Sequence, residues 1–489
     1  MPTSGFRELI LRGYPLKHAT LTLPQCILLL VSSAQAQEAT RPESPEFQVL
    51  RQNEDWSAFK DLDPSLVSDW ADPYKAISLS DDGSIWVSIG GHARARLEGW
   101  NDFNFGRHPA GVGRDDIFLL TRLLLHTDFH LGQDDRVFIE GKTAQATERD
   151  LDPGGRRTID VDSLDLQQAF WDHDFELGAE GKLTLRLGRQ GLQFGNQRLV
   201  SPLPWTNTMR SWDGATAIWK DGPCTVTAFY TQFAPVDISD FNEPDENDKF
   251  FGVYGTHKGE DGTTYDTYLL GTDRGAAMFN GTSGEEDRYT LGGRINGKVS
   301  SQPIDYDVEA AYQFGKVGTG DVSAYMLASD VGYKFADVPM QPRVRVGLDI
   351  ASGDGSAGGS VGTFNQLFPL GHAYLGYIDA IGRQNIFDLS TGAALDLAPK
   401  LTGRFDLHYF RLLEKADALY DAGGGVSVPG GTSMTSSVGT EVDFLVKYKV
   451  DRHFATAFGY SHFFAGSVLN DGGGFDDVDF VYASVTYAF

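Results

Sequence analysis

Charged residues that recur at every second position are the part of this sequence that could do chemistry. Arg94, Arg96 and Glu98 alternate with alanine and leucine in the stretch ARARLE, and Arg343 and Arg345 alternate with valine in RVRVGL. Side chains two residues apart lie on one face of a β-strand. A guanidinium offers five donors in a rigid fork and stays charged at any working pH, so it matches carboxylates and phosphates. The pattern predicts weak, repeated binding of an anionic solute along a charged surface.

The alternation of apolar and polar residues continues through stretches that are long for strands of a soluble protein. Residues 305–314, 404–409 and 441–450 each place apolar residues on one face and charged residues on the other. Strands of soluble sheets average about five to six residues. A transmembrane strand needs about ten residues and one apolar face. We therefore predict an all-β fold, a transmembrane antiparallel β-barrel.

Turn signals divide the chain into about eighteen strands. The strands are expected to start near residues 85, 115, 135, 163, 182, 212, 224, 249, 264, 287, 304, 321, 341, 384, 400, 438, 453 and 478. Tight turns are predicted at 132–134, 221–223, 300–303, 398–400 and 451–452, and long loops at 147–162, 191–211, 235–248, 353–383 and 413–437. Short periplasmic turns and long extracellular loops on an even strand count are typical of outer-membrane barrels. Sixteen strands stays open, because the strands near 249 and 264 have the weakest pattern.

A barrel of eighteen strands is wide enough to leave an aqueous lumen. With the apolar faces turned outward, the lumen receives basic and polar side chains from several strands, which include Arg94, Arg96, Arg122, Glu140, Lys142, Gln167, Arg345 and Arg404. These groups could attract an anionic solute and hold it weakly enough to release it. Alternatively, the interleaved arginines and acids could pair across strands and stiffen the wall. The sequence leaves both readings open for any one arginine.

Both ends of the chain agree with export to an outer membrane. Residues 1–36 combine three basic residues, an apolar run at 21–31 and the motif AQA at 34–36, which predict a signal peptide cleaved after Ala36. Cys224 would then be the only cysteine, so no intramolecular disulfide is expected. Residues 37–84 lack strand alternation and are predicted to form an N-terminal periplasmic segment before the barrel at 85–489. The last strand, DFVYASVTYAF, places aromatic residues where the lipid–water interface favours them.

Several motifs occur in a fixed order along the mature chain. They are NEDW at 53–56, GGHARARLE at 90–98, LQQAFWD at 166–172, GRQGLQFGNQRLVSPLPWTNTMRSWDG at 188–214, DVEAAYQFG at 307–315, IASGDG at 350–355 and TFNQLFPLGHAYLGYID at 363–379. Each motif alone is moderately specific, and the collinear set is specific. Together they resemble the alginate export family of outer-membrane porins, from about residue 50 to Phe489.

The resemblance implies an eighteen-stranded monomeric barrel whose arginine-rich constriction passes a negatively charged uronate polymer. By analogy, the loop within 188–214 folds inward and narrows the pore. It would bring six residues near the channel axis, namely Arg189, Gln190, Arg198, Asn207, Arg210 and Asp213. Arg94, Arg122, Lys142, Arg345 and Arg404 match the family's inward basic positions by strand order and parity. A wall-packed loop fixed by Arg–Asp pairs is the alternative, and it suits Asn207 and Asp213 nearly as well.

We predict a passive outer-membrane porin for anionic saccharides, without a cofactor or a metal. The alternatives are a general or uptake porin for small solutes and a closed structural barrel. A barrel hydrolase is disfavoured, because no motif such as H-E-x-x-H brings catalytic groups together. The expected partners are outer-membrane lipid and lipopolysaccharide, an anionic polysaccharide or another small solute, a periplasmic export partner and the barrel-assembly machinery. Nucleic acid is not expected as a partner.

Overall fold

Eighteen antiparallel strands close into one barrel in the computed structural model, which describes residues 40–107, 112–152, 155–178, 180–474 and 476–489. The predicted signal segment 1–36 lies outside the described residues. The strands are β1 Ile85–Asn101, β2 Asp116–Leu131, β3 Asp135–Ala146, β4 Asp162–Leu177, β5 Gly181–Gln190, β6 Ser211–Asp221, β7 Cys224–Ala234, β8 Asp248–Lys258, β9 Thr264–Phe279, β10 Thr282–Lys298, β11 Ile304–Val317, β12 Gly320–Lys334, β13 Arg343–Ala351, β14 Ile386–Ala398, β15 Leu401–Leu412, β16 Ser437–Lys449, β17 Phe454–Ala465 and β18 Val478–Ala488.

Each strand pairs with its neighbours in the chain, and β1 pairs with β18 to close the barrel. That last pairing, here called the seam, runs from His92 opposite Ala488 to Asn101 opposite Asp479. The sixteen-strand alternative is wrong, because β8 and β9 pair continuously from Lys258 opposite Thr264 to Asp248 opposite Arg274. The eighteen-strand prediction is confirmed.

The alternation predicted from sequence sorts the side chains as expected. Val346 and Phe444 are exposed on the outer wall, whereas Asp307, Glu309 and Glu441 are buried inside the barrel. One strand start is corrected, because β10 begins at Thr282 and not near residue 287. Residues 282–286 therefore belong to this strand, and within it Glu286 pairs with Arg288 inside the barrel.

Connections are short at one end of the barrel, the short-turn end, and mostly long at the other, the long-loop end. The predicted tight turns are confirmed, and the long loops cover 147–161, 191–210, 235–247, 352–385 and 413–436. Two connections at the long-loop end, 280–281 and 318–319, contain only two residues each.

Helical structure is minor in the described residues. It consists of the five-residue helix α1 Ser467–Asp471 and the 3-10 turns Arg51–Asn53, Ser57–Phe59, Pro64–Leu66, Asp72–Tyr74, Phe103–Gly106 and Gly371–Ala373. A short hairpin, Leu419–Tyr420 with Val426–Val428, lies in the loop 413–436. Within the described ranges, no helix is both long and apolar enough to span a membrane.

Residues 41–84, here called the N-terminal segment, pack against the short-turn end of the seam. The Arg51 guanidinium donates to Gly91 O on β1 and to Phe489 O after β18, each at 2.8 Å. Glu54 fixes that guanidinium through a buried ion pair. The two-residue strand Ile77–Ser78 pairs with β1 where β18 no longer does. The segment therefore supplies partners to the seam and to the free edge of β1.

Replacing Arg51 by alanine should loosen this attachment. The change leaves the Glu54 carboxylate buried without its cation, and removing one partner of a buried ion pair costs about 3–5 kcal/mol. The amides of Ala76 and Leu79 bond to Ser88 Oγ and Ile85 O, respectively. We expect the free energy of the opening that allows their hydrogen exchange to fall by about 3 kcal/mol. Glu43→Ala, which changes an exposed charged residue of the same segment, serves as the control. Unchanged protection in Arg51→Ala would contradict the assigned role.

The attachment should also depend on pH through Lys75. Its ammonium donates to Ile89 O at 2.6 Å, and burial, together with the nearby charge of Arg51, lowers the pKa of Lys75 to about 7 from 10.5. The attached state thus binds the proton more weakly than the released state. Attachment is weakest below pH 7 and strengthens, by about 2 kcal/mol, as the pH rises toward 9. Hydrogen exchange corrected for intrinsic rates should show this slope, and Lys75→Met should abolish it.

Candidate functional site

Two loops from the long-loop end enter the barrel and meet inside it. Loop A covers residues 191–210 and loop B covers 352–385. Their backbones pair, because Ser201 N donates to Phe368 O and Phe368 N donates to Leu199 O, each at 2.9 Å. Phe368 of loop B also packs edge-on against Trp212 of β6 at 5.2 Å between ring centroids. The two loops therefore form one constriction that is fixed to the wall.

Three arginines of β1 and β2 hold the middle of loop A. Arg94 donates to Pro204 O and Thr206 O at 2.9 Å, and Arg122 also donates to Thr206 O at 2.9 Å. Arg96 donates to Trp205 O at 2.6 Å and lies over the Trp205 ring at 3.8 Å. We call Arg94, Arg96 and Arg122 the arginine clamp. Their donors are occupied mainly by neutral carbonyl oxygens of the loop.

The neighbouring predicted residues also fix loop A. Asn207 donates from Nδ2 toward Thr121 O, Gln145 O and Asp160 O within 3.1 Å. Lys142 donates to Thr208 O of loop A at 3.3 Å and pairs with Asp162 at 2.9 Å. Glu140 acts through Gln168, from whose Nε2 it accepts at 3.1 Å and whose Oε1 accepts from Gly191 N of loop A at 3.0 Å. Gln167 donates to Arg210 O at 3.0 Å.

Arg210 ends loop A and donates to Pro369 O of loop B at 3.0 Å. Burial, with the positive charge of Arg274 nearby, lowers the pKa of the Arg210 guanidinium to about 9. The side chain therefore remains charged at neutral pH. Its charge adds to the positive field at the junction of the two loops.

Three other predicted residues lie in wall contacts of β5 and β6. Arg189 forms a two-bonded pair with Asp213 at 2.7 and 3.0 Å and also contacts Asp165 at 3.2 Å. Gln190 is buried and accepts from Thr216 Oγ1 at 2.8 Å. These contacts stiffen the wall, as the alternative interpretation of the motif expected for Asp213.

Arg198 crosses from loop A to the opposite wall. Its guanidinium lies 2.7 Å from Asp307 and 3.3 Å from Glu309, both on β11, and sits over the Tyr374 ring of loop B. These two carboxylates raise the pKa of Arg198 despite the opposing effect of burial. Arg383 of loop B donates to Arg198 O at 2.9 Å and pairs with Asp349 at 2.7 Å. This cluster therefore ties both loops to β11 and β13.

Backbone amides of loop B bond to β16, another part of the barrel wall. Ile378 N donates to the buried Glu441 carboxylate at 2.8 Å. Gly376 precedes this contact with φ +85°, and a Cβ there would lie 2.3 Å from the carboxyl carbon of Glu441. Only glycine therefore allows the loop to approach β16 so closely.

A cavity of about 350 Å³ lies beside Arg198 and Tyr374, along β11 to β15. Its charged lining consists of Arg198, Arg343, Arg345 and Arg404 with Asp305, Asp307, Asp330, Asp349 and Asp388. Arg345 donates to Asp406 at 2.6 Å and to Ser390 Oγ at 3.0 Å. The only side-chain hydrogen bond described for Arg404 runs from Nε to Asp406, and its side chain is 37% exposed. Arg404 is thus the cavity arginine with the most unused donors.

The structure divides the predicted residues among three places. Arg198, Arg345 and Arg404 line the cavity, the arginine clamp and its neighbours hold loop A, and Arg189, Gln190 and Asp213 lie in the wall. Sequence reasoning did not include Arg383 or Asp388. Asp388 follows the inward parity of β14 and could have been found in that way, whereas Arg383 lies in a loop without periodicity.

The sequence of residues 85–481 matches the family model described as "Alginate export". The chain belongs to the alginate export family. The resemblance seen in the ordered motifs is therefore confirmed. No curated protein matches the sequence.

Solved structures similar to this family member are porins. A BenF-like porin from Pseudomonas fluorescens Pf-5 has a TM-score of 0.55 at 11% identity, covering 82% of this chain and 98% of that one. Acinetobacter baumannii OccAB3 has a TM-score of 0.54 at 11% identity, with 82% and 99% covered. Pseudomonas aeruginosa OpdK with vanillate has a TM-score of 0.53 at 10% identity, with 82% and 98% covered.

The solved structures establish the fold, and the match to the family model establishes the family to which the chain belongs. Together they support an outer-membrane porin and point to a transport channel, not an enzyme. One pentapeptide, GGSVG at 358–362, has the form G-x-S-x-G. It lies in loop B, between two strands, whereas a nucleophile elbow connects a strand to a helix. The long-loop end corresponds to the extracellular side of such porins and the short-turn end to the periplasmic side.

Removing the amide of Asn207 should loosen the constriction in this alginate export family member. Asn207→Ala leaves three carbonyl groups without their donor, which costs about 1–3 kcal/mol when the groups are buried. We expect lower hydrogen-exchange protection at the amides of Ser201 and Phe368 and noisier single-channel current. Thr206→Ala is the matched control, since its hydroxyl bonds only within loop A, to Leu203 O. Equal protection in both variants would show that Asn207 does not hold the loop.

Proposed function

We propose that this porin passes small acidic saccharides, with Arg198, Arg345 and Arg404 in contact with the solute. The observation that carries the proposal is the cavity of about 350 Å³ with Arg404 exposed in its lining. That volume is at the lower end of ordinary ligand pockets, about 300–1,000 Å³. It suits a short saccharide better than an extended polymer.

The aspartate partners of the cavity arginines favour passage over capture. A guanidinium that already faces a carboxylate binds a second carboxylate only by competition, so the solute is held weakly. Conduction requires such weak, repeated contacts. Asp330 and Asp406 are the carboxylates that compete with the solute for Arg345, and Asp406 also competes for Arg404.

The arginine clamp supports the preference for anions from a second place. Arg94 and Arg122 lie directly opposite each other on β1 and β2, and neither forms an ion pair with a carboxylate in the described ranges. Carbonyl oxygens accept from their terminal nitrogens but do not neutralise their charges. The positive potential therefore extends from the clamp into the lumen.

A second candidate function is a general channel for small solutes. It is favoured by the charge balance of the cavity, whose lining carries four arginines and five aspartates. Those nine groups sum to a single negative charge if all are ionised. Such a lining discriminates weakly between anions and cations unless the clamp dominates the field.

Planar-bilayer recordings distinguish the two candidates. The acidic-saccharide proposal predicts anion selectivity and current block by oligouronates, with no block by neutral oligosaccharides of the same length. Arg404→Gln should weaken the block about fivefold, since one water-exposed charge contact contributes about 1 kcal/mol. Arg411→Gln, which removes an exposed arginine at the long-loop end, is the control. Unselective current that is indifferent to oligouronates would favour the general channel.

A further inference from the structure

The N-terminal segment exposes large apolar side chains beside the seam. Trp70 is 51% exposed, Tyr74 45% and Leu79 55%. Trp70 and Tyr74, together with Tyr487 and Phe489, form what we call the seam patch. Adjacent exposed apolar groups of this size mark an interaction site on a folded protein.

Aromatic contacts make the seam patch continuous with the outer wall of the barrel. The Trp70 ring lies 6.3 Å from the Tyr487 ring at an interplanar angle of 16°, and 5.4 Å from the Phe489 ring. Tyr487 has the same strand parity as Val481 and Val485, which are exposed on the outer wall. The patch therefore extends the lipid-facing surface past the end of β18.

The carboxylate next to Trp70 is paired with neighbouring groups. Asp69 lies 2.7 Å from His453 Nε2 and 3.7 Å from Arg452, and it accepts from Ala71 N at 2.9 Å. These contacts neutralise the charge that would oppose contact with lipid and also fix the backbone at Trp70. Other acids of the segment, such as Asp61 and Asp63, are exposed.

We propose that the seam patch lies in the inner leaflet of the outer membrane, at the boundary between phospholipid head groups and acyl chains. Amphipathic rings of tryptophan and tyrosine favour this depth, and the patch lies at the short-turn end, which faces the periplasm. The partner is the phospholipid surface itself. The N-terminal segment thereby anchors the seam to the membrane through Trp70, which packs on the outward-facing Tyr487 and Phe489. This inference does not depend on which solute the channel passes.

Spin labels test the depth of the patch directly. In the full chain carrying Cys224→Ser, with the predicted signal segment removed during export, a label at Trp70→Cys is compared with one at Ser65→Cys. Ser65 is an exposed polar residue of the same segment. After reconstitution in phosphatidylethanolamine–phosphatidylglycerol vesicles, the label at position 70 should favour collisions with oxygen over those with a water-soluble nickel chelate. The label at position 65 should show the opposite preference.

A second measurement avoids a label at the aromatic site. Phospholipids brominated near the carbonyl end of their chains should quench the tryptophan fluorescence of the wild-type protein more than that of Trp70→Phe. The difference between the two spectra reports Trp70 alone, although the chain contains eight tryptophans. Equal access of the nickel chelate to both labels, or no quenching of the Trp70 component, would overturn the proposal. Protection of position 70 from both collision partners would also overturn it, since another protein surface would then cover the patch.

Discussion

Hydrogen bonds from wall guanidinium groups to loop carbonyl oxygens hold the inside of this barrel in place. Eighteen strands enclose more space than their own side chains fill, so loops A and B must enter the lumen with polar backbone that needs partners. Arg94, Arg96 and Arg122 meet the carbonyl groups of residues 204–206 in loop A. Glu441 meets a backbone amide of loop B. Without these contacts the loops would gain more from water outside the barrel than from the wall.

The same residue type works in two electrostatic settings. In the cavity, Arg345 and Arg404 share Asp406, and Arg345 also pairs with Asp330, so two carboxylates offset the two positive charges. In the clamp, Arg94 and Arg122 bond to neutral oxygen atoms and form no ion pair with a carboxylate of the described residues. Selectivity therefore need not come from the arginines that a solute touches most closely. Under the proposed function, a long-range field from the clamp would favour anions, and the paired arginines of the cavity would add weak contacts with the solute.

Strand alternation was sufficient to predict the barrel and the inward direction of Arg94 and Arg404, and turn signals gave about eighteen strands, with sixteen left open. It could not predict their different partners. Arg404 pairs with Asp406 on its own strand, whereas Arg94 bonds to a loop 110 residues further along the chain. Whether a strand side chain points inward follows from the alternation of the backbone. Its hydrogen-bond partner, in contrast, depends on where an irregular loop folds. For the same reason Arg383, which joins loops A and B, had no signal in the sequence.

Unequal strand lengths explain why the N-terminal segment packs at the seam and not elsewhere. β1 has 17 residues and β18 has 11, so the edge of β1 near Ile85 continues past its partner. An unpaired strand edge exposes donors and acceptors that another chain could pair with. Ile77–Ser78, Lys75 and Arg51 use those groups within the same chain. The segment then runs beside Tyr487 and Phe489, where the outer wall is apolar. Closing the edge of β1 thus brings Trp70 to the lipid-facing surface, so that one short segment protects the seam and contacts the membrane.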